Sequence, residues 1–258
     1  MEKFRAFFED IYSTYNRKEF VHTDPIFYPH TLDGNKEFTA ITAACFAYGN
    51  VKAIKSFLTS FFAHYGTDPY NLNHGESGLY YRFQNVNDVA YYAQFMKRLY
   101  EKYGSVENVF KQRGTMEEGI EHFYGVVREM CPDAGQGFTF LFPNPVTSGA
   151  KRMRMFLRWM IRKDDIDFGL WDAFSPKALK MPIDTHILRF ACNNGIIKNQ
   201  AANRANLESV SSFFSGLNED DPAKYDFALT RLGIVNDCQY QKTEICNNCR
   251  HINSCVFI

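Results

Sequence analysis

The sequence predicts an all-α protein, and three observations support that prediction. Apolar residues recur every three or four positions through most of the chain, as with Phe4, Phe8 and Ile11 near its start, which is the spacing of one helix face. No segment alternates between apolar and polar residues as a half-buried strand would. Residues that cap helices stand between the apolar periods, and they divide the chain into about ten helices.

Capping residues place the helix starts in chain order. Thr115, with Glu118 three residues later, matches the pattern of a capping box. The other N-cap candidates, of which the last two precede a proline, are Asn50, Ser105, Ser175 and Asp221. The stretch 132–149 carries three prolines and three glycines. We predict a long irregular loop there, and loops of this length are more often functional than idle.

Composition narrows the class of protein. The chain has 258 residues, with 29 Lys and Arg against 29 Asp and Glu, and no apolar run long enough to cross a bilayer. This composition excludes a disordered tail and a strongly basic nucleic-acid arm, while 25 Phe and 15 Tyr predict a sizeable core. The first residues mix charges into an amphipathic helix and do not resemble a signal peptide. We therefore expect a cytoplasmic protein.

Four of the seven cysteines lie close together near the end of the chain. They are Cys238, Cys246, Cys249 and Cys255. The Cys-x2-Cys step within this group is short enough for two thiolates to bind one metal centre. An iron–sulfur cluster is the favoured ligand, because four-cysteine zinc sites usually carry two such steps. Zinc, and four free thiols packed as small apolar side chains, remain the alternatives.

The segment 150–163 contains six basic residues and no acid. At 100° per residue its apolar side chains share one face, and the opposite face carries Lys151, Arg154, Arg158 and Arg162. A solvated surface helix would explain such a charge run. Closely spaced cations with no acid among them also favour a polyanion, and Trp159 lies on the side away from the apolar stripe, where a nucleobase could stack. We therefore expect a nucleic-acid-binding face.

Lys151 and Asp184 are the candidates for chemistry. Neighbouring cations disfavour an ammonium group, so they favour the neutral amine that a lysine nucleophile requires. A phosphate contact or a solvated lysine is the plainer reading of Lys151. Asp184 precedes a helix and reads first as its N-cap, and His186 reads first as a helix-surface or packing residue.

Taken together, these residues resemble the helix-hairpin-helix base-excision DNA glycosylases, the superfamily that includes endonuclease III. The matching elements, in order, are a basic helix entered from a loop, the segment Pro-Ile-Asp-Thr-His-Ile around Asp184, and a C-terminal four-cysteine group. The Ala-Lys step at Lys151 and its distance from Asp184 are similar to those of the archaeal 8-oxoguanine DNA glycosylases (AGOG). Over most of its length the chain resembles a bacterial family distantly related to those enzymes.

The resemblance implies roles for individual residues. Asp184 would be catalytic, Lys151 would form a Schiff base, and the four cysteines would hold a [4Fe–4S] cluster. The residues implied for the base pocket are Trp159, Asp226 and Phe142. The residues expected to contact DNA are Arg154, Arg158, Lys242, Arg250 and His251 along its phosphates, with Tyr48 and Asn50 filling the space left by the flipped base.

The implied architecture is a two-lobed helix-hairpin-helix glycosylase fold with a C-terminal four-cysteine metal loop. Residues 37–174 would form the central lobe, and residues 1–36 and 175–258 the second lobe. The implied activity is removal of a damaged base, first an oxidised purine such as 8-oxoguanine, from double-stranded DNA, together with AP lyase activity. We expect a nucleoid-associated monomer without a membrane partner.

Three other functions stay open at this point. The chain could be a catalytically silent DNA-binding module of the same fold. It could be a monofunctional glycosylase that acts on another lesion, with Asp184 activating water. A redox or iron-sensing role for the cysteine group is the third.

Overall fold

The computed structural model describes residues 1–257, and its regular secondary structure is helical. Within this range it contains twelve α-helices, while β-structure is limited to isolated bridges, so the predicted all-α class is confirmed. None of the described helices is both long enough and apolar enough to cross a membrane. The helices are α1 (Glu2–Tyr15), α2 (Phe27–Thr31), α3 (Lys36–Cys45), α4 (Val51–Tyr65), α5 (Val86–Tyr103), α6 (Val106–Phe110), α7 (Met116–Met130), α8 (Gln136–Leu141), α9 (Lys151–Ile161), α10 (Thr185–Asn193), α11 (Arg204–Leu217) and α12 (Asp226–Asn236).

Most of the predicted helix starts are confirmed by their hydrogen bonds. The Asn50 side chain accepts from the backbone N–H of Ala53 at 2.8 Å, and the Ser105 hydroxyl caps α6 in the same way. Thr115 and Glu118 form the predicted capping box at the start of α7. These caps satisfy backbone donors that the first helical turn leaves without partners.

Two predictions about helix boundaries are wrong. Asp221 does not begin a helix, because its carboxylate binds the Arg162 guanidinium, and α12 begins only at Asp226. The predicted long loop at 132–149 contains α8, whose apolar side chains Phe138 and Leu141 are buried. Ser175 and the proline after it begin a short 3-10 helix.

The chain divides into two compact units. One, the terminal unit, consists of residues 1–20, 147–169 and 174–258. The other, the central unit, consists of residues 21–146 and 170–173. This division differs from the predicted lobes: residues 21–36 belong to the central unit, and most of the segment 147–174 belongs to the terminal unit. The physical reason for the second difference is that α9 makes buried ion pairs with residues of the terminal unit.

The central unit is built on buried aromatic rings. Its rings pack edge to face or tilted, for example Phe138 and Phe142 with centroids 5.4 Å apart. Two acidic side chains fasten its helices. Glu37 accepts hydrogen bonds from Trp171 Nε1 at 2.8 Å and from the Tyr100 hydroxyl at 2.7 Å, and Asp88 accepts from the backbone N–H of Phe138 at 3.1 Å.

The terminal unit brings the two ends of the sequence together. Helices α1 and α10 both pack on α12 around a shared apolar core that includes Phe8, Phe190 and Leu229. Polar contacts reinforce the packing of α1: Glu9 accepts a hydrogen bond from the Tyr225 hydroxyl at 2.6 Å. The unit therefore depends on residues from three separate parts of the chain.

The arginines of α9 are buried, and the predicted exposed cationic face is wrong. Arg154 and Arg158 are each 2% exposed, and Arg162, which follows the helix, is 4% exposed. Arg158 forms ion pairs with Asp167 and Asp226. The sequence pattern misleads because the neutralising carboxylates lie outside the helix, and pairing is what permits a charge to be buried.

Arg162 binds three carboxylates. It pairs with Asp167, with Asp164 at 2.9 Å and with Asp221 at 2.9 Å. Burial lowers the pKa of the Arg162 guanidinium, but the three carboxylates outweigh burial and raise it far above its ordinary value. Burial raises the pKa of Asp167 despite its two arginine partners. This network joins α9 to the segments before and at the start of α12.

Asp164 makes the stability of the terminal unit depend on pH. Burial raises its pKa, but the charge of Arg162 and backbone hydrogen bonds from Asp167 and Ile166 lower it more strongly, to about 2 from 3.8. The unfolded chain therefore binds this proton more readily than the folded chain. We expect the contribution of Asp164 to be complete above about pH 4 and to fall by about 2 kcal/mol as the pH falls to about 2.

Urea unfolding across this pH range tests that expectation. Asp164→Asn should flatten the pH dependence of the free energy of unfolding. The matched control is Asp165→Asn, because Asp165 is the exposed neighbour. An equal slope in the Asp164 variant and the wild type would contradict the assignment.

Candidate functional site

Lys151 is the first residue of α9, and the turn before it is tightly constrained. Ala150 is the N-cap and has left-handed backbone angles, φ 44° and ψ 40°, which an alanine rarely adopts. Gly149 packs against Ile183 so closely that an added Cβ would lie 2.5 Å from the Ile183 Cδ1 atom. Because Ile183 directly precedes Asp184, this contact holds the start of α9 beside the start of α10.

Asp184 is the N-cap of α10. One carboxylate oxygen, Oδ1, accepts from the backbone N–H of Ile187 at 2.8 Å, and the side chain is half-buried. The predicted capping role is therefore confirmed. The second oxygen is the one that could face a substrate.

His186 lies on the first turn of α10 and is held in one orientation. The buried Tyr240 hydroxyl donates to the Leu229 carbonyl at 2.9 Å and lies 3.0 Å from His186 Nδ1. Because the hydroxyl has a single proton, its second contact requires Nδ1 to donate. The geometry thus favours the tautomer with the proton on Nδ1 and leaves Nε2 as an acceptor.

Charges converge on His186. Burial lowers its pKa, the Asp184 carboxylate opposes that shift, and the charges of Arg189, Arg231 and Lys151 reinforce it. Burial, with the fields of Asp184 and Cys238, raises the pKa of Tyr240 far above its ordinary value. Lys151 and Asp184 therefore both lie within electrostatic range of His186, and Asp184 also lies within range of Tyr240. Sequence reasoning identified the first two and missed the part played by Tyr240.

The residues expected to form a base pocket are enclosed. Trp159 is 0% exposed, and its indole N–H has no hydrogen-bond partner among the described residues. Asp226 is buried and forms an ion pair with Arg158. Phe142 belongs to the aromatic core of the central unit, where it also lines a cavity of about 250 Å³ with Arg128 and Asn144. Because their side chains face the interior, none of the three offers an open stacking surface.

The residues expected to bind phosphate fall into two groups. Arg154 and Arg158 are buried, and Arg154 Nε donates to the Gly149 carbonyl at 3.1 Å, so neither guanidinium can reach a phosphate in this conformation. Lys242 and Arg250 are exposed on the cysteine segment. His251 is buried, and its Nδ1 lies 2.9 Å from Asp10 Oδ2. It is therefore removed from the expected phosphate contacts.

Tyr48 belongs to an aromatic patch on the central unit that sequence reasoning only partly predicted. Its ring lies parallel to Phe83 at 6.0 Å and meets the edge of Phe140 at 5.0 Å, while the Arg82 guanidinium lies 5.7 Å from the rings of Tyr48 and Phe83. Phe83 is 59% exposed and Phe140 40% exposed. Asn50 is exposed nearby in sequence and caps α4.

We call Tyr48, Arg82, Phe83 and Phe140 the aromatic patch. Clusters of exposed rings are uncommon on protein surfaces and often mark binding sites. The signal in the sequence was the run Tyr-Tyr-Arg-Phe at 80–83, which carries no helical period.

The four cysteines of the C-terminal segment have the chemistry of a metal-binding set. All four are free thiols. Cys238 lies within electrostatic range of the other three, and both burial and their charges raise its pKa, to about 11. Three sulfurs accept backbone N–H groups: Cys238 at 3.4 Å, Cys246 at 3.4 Å and Cys255 at 3.5 Å. Such hydrogen bonds stabilise thiolates, and a cation would relieve their mutual repulsion.

The sulfurs are not gathered into a finished coordination sphere. Across residues 1–257, no three His, Cys, Asp or Glu side chains are arranged closely enough to hold a metal ion. Four thiols are donors of the type that an iron–sulfur cluster or zinc takes, but ligation would require the turns at 238–255 to draw together.

These features define an all-α protein with a lysine, a carboxylate and a histidine at adjoining helix starts. A family model with the description "Protein of unknown function (DUF2400)" matches residues 24–235. The chain belongs to this family. The match includes Lys151, Asp184 and Gly233 and ends before Cys238. No curated protein and no solved structure matches the chain.

Gly233 makes a sharp test of the His186 environment. A Cβ at this position would lie 2.2 Å from both His186 Nδ1 and the Tyr240 hydroxyl. We expect Gly233→Ala to lower the free energy of unfolding by about 1–3 kcal/mol, because overpacking displaces buried side chains. Urea unfolding measures the change.

Gly125→Ala is the control, because it should change the free energy of unfolding in the opposite direction. It also lies within a helix, α7, but an added Cβ would meet no atom within 4 Å. Gly125→Ala should raise the free energy of unfolding by about 0.5–1 kcal/mol through helix propensity alone. Equal effects of the two substitutions would refute the close packing at Gly233.

Proposed function

We propose that the protein is a base-excision DNA glycosylase with AP lyase activity. Its substrate would be double-stranded DNA with a damaged base, first of all an oxidised purine such as 8-oxoguanine. The observation that carries the proposal is the proximity of Lys151 to Asp184. Lys151 and Asp184 are 33 positions apart in the sequence, but they stand at adjoining helix starts because Gly149 packs on Ile183.

Asp184 would act first. As the bond between C1′ and the base breaks, its electron pair leaves with the base, which takes up a proton, and positive charge develops on the sugar. The Asp184 carboxylate would stabilise that charge. The base must leave the helical stack before this step, because C1′ is inaccessible within the duplex.

Lys151 would then complete the reaction. Its neutral amine would form a bond to C1′ and lose a proton, and opening of the sugar ring would give a Schiff base. Loss of a C2′ proton from the Schiff base would expel the 3′ phosphate, which is strand cleavage by β-elimination. His186 Nε2 would accept the lysine proton.

Two surfaces offer contacts to DNA. On the central unit, the aromatic patch has exposed rings and one guanidinium, the combination on which unpaired bases stack. On the terminal unit, Lys242 and Arg250 are exposed cations suited to phosphates. These surfaces replace the buried arginines of α9 as the proposed DNA contacts.

The four cysteines would hold a [4Fe–4S] cluster, with zinc as the alternative. Such a centre would supply a structural cross-link for residues 238–255, which contain little apolar surface of their own. It would take no part in bond breaking. Cys238, Cys246, Cys249 and Cys255 are the proposed ligands.

Borohydride trapping tests the catalytic pair. Duplexes carrying 8-oxoguanine, uracil, an oxidised pyrimidine, an alkylated purine or an abasic site are incubated with enzyme and reductant. We expect a covalent adduct with wild type and none with Lys151→Gln. Asp184→Asn should slow base release by about 100-fold or more while DNA affinity changes little. The matched control is Lys163→Gln, an exposed lysine at the other end of the same basic segment.

The alternatives give different results in the same assay. Base release without an adduct would identify a monofunctional glycosylase. Retained DNA binding without base release on any duplex would favour the silent DNA-binding module, in which Asp184 serves only as a helix cap.

The aromatic patch yields a separate prediction. We expect Phe83→Ala to weaken binding to a duplex with an abasic site by about tenfold or more, since one stacked base is worth about 1–3 kcal/mol. Fluorescence anisotropy measures the dissociation constant. Leu170→Ala removes an exposed apolar side chain of the same unit, 48% exposed, and should leave affinity unchanged. Equal affinities of the Phe83 variant and wild type would exclude the patch from DNA binding.

A further inference from the structure

Residues 238–240 form three hydrogen bonds along one face of α10. Tyr240 contacts His186, the Gln239 side chain accepts from Arg189 Nη1 at 2.9 Å, and the Gln239 carbonyl accepts from Asn193 Nδ2 at 3.0 Å. The three helix residues follow one another at spacings of three and four, so they lie on successive turns. We call residues 238–240 the clamp, because it holds α10 from its first turn to its last residue.

Tyr240 is the most constrained residue of the clamp. It is 1% exposed, its hydroxyl donates to the Leu229 carbonyl, and it packs so closely on Gly233 that a Cβ there would lie 2.2 Å from the hydroxyl. Its backbone is left-handed, with φ 57°, as is that of Asp237 with φ 52°. Such conformations persist in residues other than glycine only where the surroundings hold them in place.

The clamp is continuous with the cysteine segment. It begins at Cys238, and the backbone N–H of Tyr240 donates to the Cys238 sulfur at 3.4 Å. Any centre bound by Cys238 would therefore restrict the backbone that carries Tyr240. The Tyr240 hydroxyl in turn contacts His186, which lies two residues after Asp184.

We propose that Tyr240 is a positioning residue that couples metal binding at the four cysteines to the placement of α10 and its N-cap, Asp184. This inference rests on the proposed metal binding, and it deepens the proposed function by assigning the cysteine segment a task at the reaction site. Loss of the centre would loosen the clamp, and the N-terminal turn of α10 would open more often. Tyr240 touches no reacting atom.

Hydrogen exchange measures this coupling without DNA or turnover. The full chain is prepared free of metal with a chelator and then reconstituted anaerobically with ferrous iron and sulfide, or with Zn²⁺ in a second arm. In wild type, the amides of residues 187–193 should exchange at least about tenfold more slowly after reconstitution with one of these probes. In Tyr240→Phe, bound metal should stay the same while that protection falls to about twofold or less.

Tyr225→Phe is the matched control. Tyr225 is another buried tyrosine of the terminal unit, and its hydroxyl donates at 2.6 Å to Glu9, which lies outside the clamp. It should keep the wild-type response to metal. His186→Leu removes the same contact from the other side and should reproduce Tyr240→Phe, which keeps the test decisive if one variant folds poorly.

The tautomer of His186 supplies a spectroscopic readout. Imidazole nitrogen shifts should place the proton on Nδ1 in wild type, and loss of the Tyr240 hydroxyl should produce a mixture of tautomers. His186→Leu identifies the signal among the seven histidines.

Two results would overturn the proposal: metal-dependent protection in Tyr240→Phe equal to that of wild type, or no response of wild-type α10 to either metal probe. These results are separable from the trapping assay. If neither base release nor trapping occurs on any duplex while the exchange coupling holds, the glycosylase proposal is wrong and the clamp stands. If trapping succeeds without coupling, only the clamp is wrong.

Discussion

Burial of Arg158 and Arg162 is the constraint on which the terminal unit depends. A guanidinium placed in a protein interior costs several kcal/mol unless carboxylates compensate it, and here Asp167 lies between the two arginines and binds both. Asp226 adds a second partner from the start of α12. The observed placement of α9 pairs all these charges together. Because Lys151 begins the same helix, the network that neutralises the arginines also orients the candidate nucleophile.

The features that the sequence predicted well are those whose causes are local. Asn50 and Ser105 cap helices because their side chains bond to backbone groups three residues away, and that distance is visible in any sequence. The ion pair between Arg158 and Asp226 joins residues 68 positions apart. No periodicity reports such a contact. The sequence therefore indicated that the cations of α9 lack acidic partners, although the aspartates at 164, 165 and 167, directly after the helix, were candidates for that pairing.

In the candidate site too, some residues could be identified from the sequence, while their contacts are visible only in the folded protein. Lys151 and Asp184 could be identified from motif resemblance, but their proximity depends on Gly149 packing against Ile183, which motifs do not encode. The role of Asp184 as N-cap and its proposed role in catalysis use different oxygens, so the first does not exclude the second. Tyr240 could not have been identified from sequence, because its significance arises from one hydroxyl held between His186 and Leu229. The proximity of Tyr48 and Phe83 likewise needs the folded central unit.

Because the terminal unit is built from separate parts of the chain, it sets the order in which the two units can fold during synthesis on the ribosome. Residues 21–146 of the central unit follow one another in the chain, so they can collapse as soon as they emerge. Helix α1, although synthesised first, must wait for α12 and for His251, which binds Asp10. Contacts between residues so distant in sequence form slowly, because closing a long loop costs entropy before it gains any interaction. A nascent or truncated chain would thus present a folded central unit while the candidate lysine and carboxylate are still apart.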